Sequence, residues 1–161
     1  MNITITQVDF KYDEDLPAGH DAQDVPQNGF LISKDFLWTG GLSTCFAIAI
    51  YGTTPDGVDQ FLLCHADTDT GKKNPADVNE HSDARKAVAY CVKSFGPVKD
   101  GTDLSIALIQ GTTPPEYFEE AGAMANEVVV PEAPADLDGK IWFVTVYMYP
   151  GGRIEYATLA A

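Results

Sequence analysis

Basic residues are scarce in this sequence: 10 Lys and Arg stand against 24 Asp and Glu, a formal net charge of −14. A surface of that sign repels nucleic acid and anionic membranes and favours a basic partner. There is no basic patch, no Gly-rich phosphate loop and no internal repeat, so nothing supports a nucleotide or nucleic-acid ligand. No apolar run approaches the length of a membrane span. The opening MNITITQVDF has neither the basic nor the apolar region of a secretory signal. Cysteine is sparse and odd in number (Cys45, Cys64 and Cys91), which argues against a disulfide framework. These absences predict a cytoplasmic protein that folds under reducing conditions.

What is present suits one domain over residues 1–161, with 45% hydrophobic and 21% charged residues. The acidity is spread over Asp9–Asp24, Asp67–Asp83 and Glu116–Asp138, as a solvated surface would be. NITITQV (2–8) alternates and reads as a strand; 12–29 reads as an aperiodic acidic loop. FLISKDFLW (30–38) reads as a short extended segment broken by Gly40-Gly41. CFAIAIYG (45–52) and QFLLCHAD (60–67) are apolar strands flanking the turn TTPDGVD, and thus a hairpin or adjacent pair. Asp77 and Glu80 have capping-box spacing ahead of a helix carrying Ala84, Val88, Cys91, Val92 and Phe95, which Gly96-Pro97 stops. LSIALIQG (104–111) reads as a buried strand, 114–122 as a short helix and 127–130 as a strand. KIWFVTVYMYP and GGRIEYATLA form a hairpin turned at Gly151-Gly152. The expected fold class is α/β: a single domain with a mixed or antiparallel β-sheet core, sandwich-like, with few flanking helices.

Antiparallel pairing of 45–52 with 60–67 returns the end of the second strand to the beginning of the first, and so brings His65 towards Cys45. A histidine beside a thiol is the usual base for making a nucleophilic thiolate. The packing explanation competes, because a cysteine at a strand start is more often simply buried. Cys64, His65 and His81 match no standard zinc spacing, and neighbours on a strand point to opposite faces, so no metal and no cofactor are expected. Cys64 and Cys91 read as core residues, and His20 and His81 as solvated. Asp67 reads as an acidic rim residue, with orientation of His65 as its other possible role. Trp38 is either a pocket wall or a core aromatic.

The segment TGGLSTC (39–45) has the form T-x-x-L-S-x-C. It resembles the nucleophile segment of the Burkholderia lethal factor type of glutamine deamidase. It is also similar to the L-S-x-C element of cytotoxic necrotizing factors and to the nucleophile element of CheD-type chemoreceptor deamidases. The likeness covers mainly residues 39–67, with a weaker echo in LIQGTTPPEYF (108–118). It implies Cys45 as nucleophile, His65, 20 residues downstream, as base, and Thr39, six residues upstream, as the group that orients the imidazole. Gly40, Gly41, Thr44 and Trp38 are then the candidates for the oxyanion turn and substrate pocket. Thr44 stands where the lethal-factor segment has glycine, and the interval from Cys45 to His65 is longer, which implies a longer hairpin or a bulge.

Together these features lead to the expectation of a protein-glutamine deamidase of toxin or effector type, a cysteine hydrolase acting on a protein substrate with a reactive glutamine and a basic surface. The resemblance implies a host regulatory target, such as a translation-initiation RNA helicase or a Rho-type GTPase, reached in the cytosol of a target cell without a classical signal peptide. A monomer is expected. Transglutaminase and thiol-protease chemistry use the same Cys-His pair. The alternative from another class is an acidic, non-catalytic binding or inhibitor domain that blocks a basic partner surface; it rests on the −14 charge.

Overall fold

In the computed structural model, which describes residues 2–67, 84–113 and 118–161, the central element is a hairpin. Strand β4 (Phe46–Thr53) pairs antiparallel with β5 (Asp59–Ala66) across the Thr54–Val58 turn. Both strands are buried on both faces, which is why their sequences run apolar almost without interruption. Phe46, Ile48, Ile50, Leu62 and Cys64 face one way, towards a helix layer; Ala47, Ala49, Tyr51, Phe61 and Leu63 face a second sheet.

The hairpin is the middle of a mixed five-stranded sheet. Strand β2 (Phe30–Ser33) pairs with β5, β6 (Ser105–Gln110) with β4, and β7 (Glu127–Val129) runs parallel to β6 at the edge. The second sheet, four-stranded and also mixed, has the order β1 (Thr4–Gln7), β9 (Arg153–Ala160), β8 (Trp142–Tyr149), β3 (Leu37–Leu42). The β8–β9 hairpin turns at Pro150–Gly152, with both glycines at positive φ. Two helices, α1 (Ala84–Phe95) and α2 (Phe118–Gly122), cover the outer face of the five-stranded sheet. The chain is thus an α/β single domain with a sandwich-like core. No helix among the described residues is long and apolar enough to cross a membrane.

Two local features depart from the sequence reading. Residues 30–38 are not one extended segment. The Ser33 hydroxyl accepts hydrogen bonds from the backbone N–H groups of Asp35 and Phe36, and the chain turns there, passing from β2 in one sheet to β3 in the other. Nor does Gly40-Gly41 end a strand. Thr39 pairs with Val146 and Leu42 with Val144, so three steps on β3 match two on β8: a β-bulge, with Gly41 at φ +69°. The extra residue shifts the alternation by one, so that Leu37 and Leu42 both face the inter-sheet core, on the side where Thr39 meets His65. The Asp77–Glu80 capping pair and the start of the 114–122 helix lie outside the described residues.

Candidate active site

One stretch of the acidic loop ties the two sheets together, bonding to β3 in one and β5 in the other. Val25 donates its N–H to the Trp38 carbonyl in β3 (2.8 Å). Three residues on, Asn28 donates to the carbonyl of His65 in β5 (2.7 Å), and the His65 N–H donates to the Gly29 carbonyl (3.0 Å). The turn between them is closed by Gly29 N–H to Pro26 C=O (3.1 Å), with Asn28 at φ +65°. Positive φ at the third position is the demand of a type II turn, and Asn is among the residues that meet it. This strap fixes the spacing of β3 and β5 where Thr39 and His65 face each other.

The β4–β5 register pairs Ala47 with His65 and Phe46 with Ala66. Cys45, two residues before Ala47, therefore projects from the same face as His65 and is its diagonal neighbour. Cys64 projects oppositely, into the helix-side core, and cannot share a ligand with His65. Cys91 is core on α1. All three thiols are buried, but Cys64 and Cys91 have no exposure whereas Cys45 retains 4%, and His65 beside it 5%.

Thr39 Oγ1 lies 2.8 Å from His65 Nδ1 and donates its hydroxyl proton to the Val25 carbonyl at 3.1 Å. A carbonyl only accepts, so the hydroxyl proton goes to Val25 and the Thr39 oxygen accepts from the imidazole. That assigns the proton to Nδ1 and leaves the lone pair on Nε2. Burial pushes the His65 pKa down from the usual 6.5 to about 4, with the Asp67 carboxylate partly opposing the shift. The ring is neutral near pH 7 and able to take a proton.

Trp38 does not line this space: it packs on the outer face of its sheet, donates its indole N–H to the His20 carbonyl (2.9 Å) and lies beside the His20 ring. Strand alternation separates it from Thr39. Gly40 abuts Thr145 of β8, and Gly41 forms the exposed bulge; both belong to β3, in the sheet opposite the β4–β5 hairpin. Thr44 is exposed at the corner leading to Cys45. His20 is half-buried rather than solvated, its Nδ1 lying 3.1 Å from the Pro17 carbonyl, while His81 lies outside the described residues. Asp67 is not a rim residue; it is buried and accepts a hydrogen bond from Gln27.

Gln27 and the Val25 carbonyl are the participants that the sequence reading passed over. Gln27 Nε2 lies 4.0 Å from Cys45 Sγ and 3.4 Å from Asp67 Oδ2. Its segment reads as aperiodic loop, in which P-Q-N-G is the one local turn signal. On the other side of Cys45, the Cys45 and Ser43 carbonyls accept from the Gly111 and Thr113 N–H groups (3.0 and 2.9 Å), which fastens the corner to the end of β6. A cleft of about 430 Å³ opens at Ser43, Thr112 and Thr113, with Lys140, Ile141 and Trp142 on its wall.

The arrangement holds a thiol, a neutral imidazole of assigned tautomer, a hydroxyl that orients it, and side-chain amide hydrogens near the sulfur. That set suits attack on an acyl carbon. No family model matches the sequence, and no curated protein matches it.

Proposed function

We propose that this chain is a cysteine hydrolase that deamidates glutamine side chains of a protein substrate. The observation that carries the reading is the bond between Thr39 and His65, which sets the imidazole tautomer on the strand face shared with Cys45. In the proposed cycle, Cys45 Sγ attacks the carboxamide carbon while His65 Nε2 takes the thiol proton. The proton passes to the departing nitrogen, ammonia leaves, and a thioester remains. Water then adds, with His65 again as base, and the C–S bond breaks to give glutamate and the free thiol. The Cys45 N–H and a neighbouring amide stabilise the oxyanion in both halves. The form T-x-x-L-S-x-C supports deamidation over other acyl chemistry. A basic target, met in a cytosolic compartment, suits the charge of −14.

The test is mass spectrometry of lysate proteins incubated with wild type and with Cys45→Ser. Gln-to-Glu conversion at particular sites, present with wild type and absent with the variant, supports the reading. Chain cleavage or Gln–Lys cross-links would instead indicate a protease or transglutaminase. The charge also suits the reading of an acidic domain that covers a basic partner; it requires that Cys45 alkylate as slowly as Cys64 and Cys91, and that no product form.

A further inference from the structure

We infer that the side-chain amide of Gln27 donates a hydrogen bond to the oxyanion formed at Cys45, and that Asp67 positions it for this. The inference rests on the deamidase reading above and adds to it a group from the strap that no motif in the chain marks.

A glutamine amide carries one acceptor oxygen and two N–H donors, and its orientation follows from its neighbours. The neighbour here is the Asp67 carboxylate, an acceptor when ionised, at 3.4 Å from Nε2. It selects the orientation with nitrogen towards Asp67, and the same nitrogen lies 4.0 Å from Cys45 Sγ. One N–H anchors the amide while the other is directed at the space beside the sulfur. When the thiolate attacks, the carbonyl electron pair moves onto an oxygen carried by the carbon bonded to that sulfur. A donor at this range from sulfur comes within about 2.7–3.1 Å of such an oxygen, the range that stabilises an oxyanion. Collapse of the intermediate returns the pair to the carbonyl as ammonia leaves with the proton from His65, so Gln27 itself loses nothing.

Preorganisation comes from the strap. Gln27 sits between Pro26 and Asn28 in the closed turn, in a bridge with His65, and Asn28 is bonded to the His65 carbonyl. Base and donor therefore belong to one hydrogen-bonded unit and hold their spacing together. Gln27 is an exposed residue, whereas Cys45, His65 and Asp67 are buried, so its amide is the accessible member of the group.

The experiment compares wild type with Gln27→Met, which keeps length and removes the donor, and with Gln27→Ala. Three rates or affinities are read: deamidation, alkylation of Cys45 by iodoacetamide, and the dissociation constant of the reversible hemithioacetal between Cys45 and butanal. Alkylation builds no oxyanion; the other two place charge or hydroxyl on an oxygen beside the sulfur. Both variants are expected to lower kcat about 10²- to 10³-fold, to weaken the butanal adduct about tenfold or more, and to leave alkylation unchanged. Asp67→Asn should reproduce part of the adduct loss. If wild type deamidates nothing yet the variants weaken the adduct, the donor role stands and the deamidase reading falls. If wild type deamidates and the variants do so equally well, the Gln27 inference falls alone. A loss of alkylation equal to the loss of turnover would also overturn it, since Gln27 would then act on thiolate formation. An adduct that is the same in all proteins, or absent from all, overturns it as well.

Discussion

Thr39 in one sheet and His65 in the other are joined by a 2.8 Å hydrogen bond across the sandwich, and the Thr39 hydroxyl proton is committed to the Val25 carbonyl. Removing the hydroxyl has two consequences. Thr39→Val should cut turnover about 10²-fold or more, because a misplaced catalytic group is expensive. It should also lower stability by about 1–3 kcal/mol, since Val25 and His65, both buried, would each lose a partner. Thr39→Ser keeps the hydroxyl and should recover most of both. Urea unfolding and kcat on the same three proteins separate the effects. Near-wild-type turnover by Thr39→Val would show that the hydroxyl does not orient the base.

The three thiols should differ in reactivity. Cys45 has His65 as diagonal neighbour and some solvent access; Cys64 and Cys91 have neither. Site-resolved alkylation near pH 7 is expected to label Cys45 first, and His65→Ala to slow that labelling markedly while leaving the other two unchanged. Equal, slow labelling of all three in wild type would remove Cys45 as a nucleophile and favour the acidic binding domain.

Burial of His65 sets the pH response. The folded pKa of about 4 lies below the unfolded 6.5, so between these values the unfolded chain binds a proton that the folded one does not. Stability is therefore full above about pH 6.5 and falls as pH drops towards 4. The lost part is about 3 kcal/mol. His65→Gln should flatten this slope in denaturant titrations across the same window. The acid limb of kcat/KM should lie near pH 4 rather than 6.5. A limb at 6.5 would mean that the imidazole is more hydrated than the structure has it.

The core of this arrangement was legible in the sequence for physical reasons. Two nearly unbroken apolar runs around T-T-P-D-G specify a buried antiparallel hairpin, and antiparallel pairing alone brings Cys45 and His65 to the same end. Strand alternation correctly sent Cys64 to the opposite face. What stayed hidden depends on distance between sheets. The P-Q-N-G turn marks a bend but not a role for Gln27, which matters because the strap reaches both β3 and β5. Gly40-Gly41 reads as a breaker because the pattern L-W-T-G-G-L loses its alternation. The bulge restores the inward phase only when the partner strand is known. The sequence does not choose between wall and core for Trp38; the single step from Thr39 along β3 puts it on the outer face, against the Phe36–Tyr147 cluster.

Two glycines near the site make a paired prediction, because they are glycine for different reasons. Gly41 has φ +69°, yet a Cβ there would meet nothing within 4 Å. Gly41→Ala should cost only the left-handed strain, about 1–2 kcal/mol, and Gly41→Asn less, with turnover changed little in either. Gly111 has no such strain. A Cβ there would lie 2.5 Å from the carbonyl oxygens of both Ser43 and Cys45, backbone atoms that cannot rotate away. Gly111→Ala must therefore push the 43–45 corner off the end of β6 and weaken the bond from Gly111 N–H to the Cys45 carbonyl. Overpacking of this kind costs about 1–3 kcal/mol, comparable to Gly41→Ala in denaturant midpoint. The activities should nevertheless diverge. A shift of the corner moves Cys45 relative to His65, and displacement of a nucleophile by a fraction of an ångström to an ångström is expected to reduce turnover about 10²-fold. Stability and kcat measured on both variants are the check. Equal activity of Gly111→Ala and Gly41→Ala would show that the 43–45 corner does not set the position of the thiol.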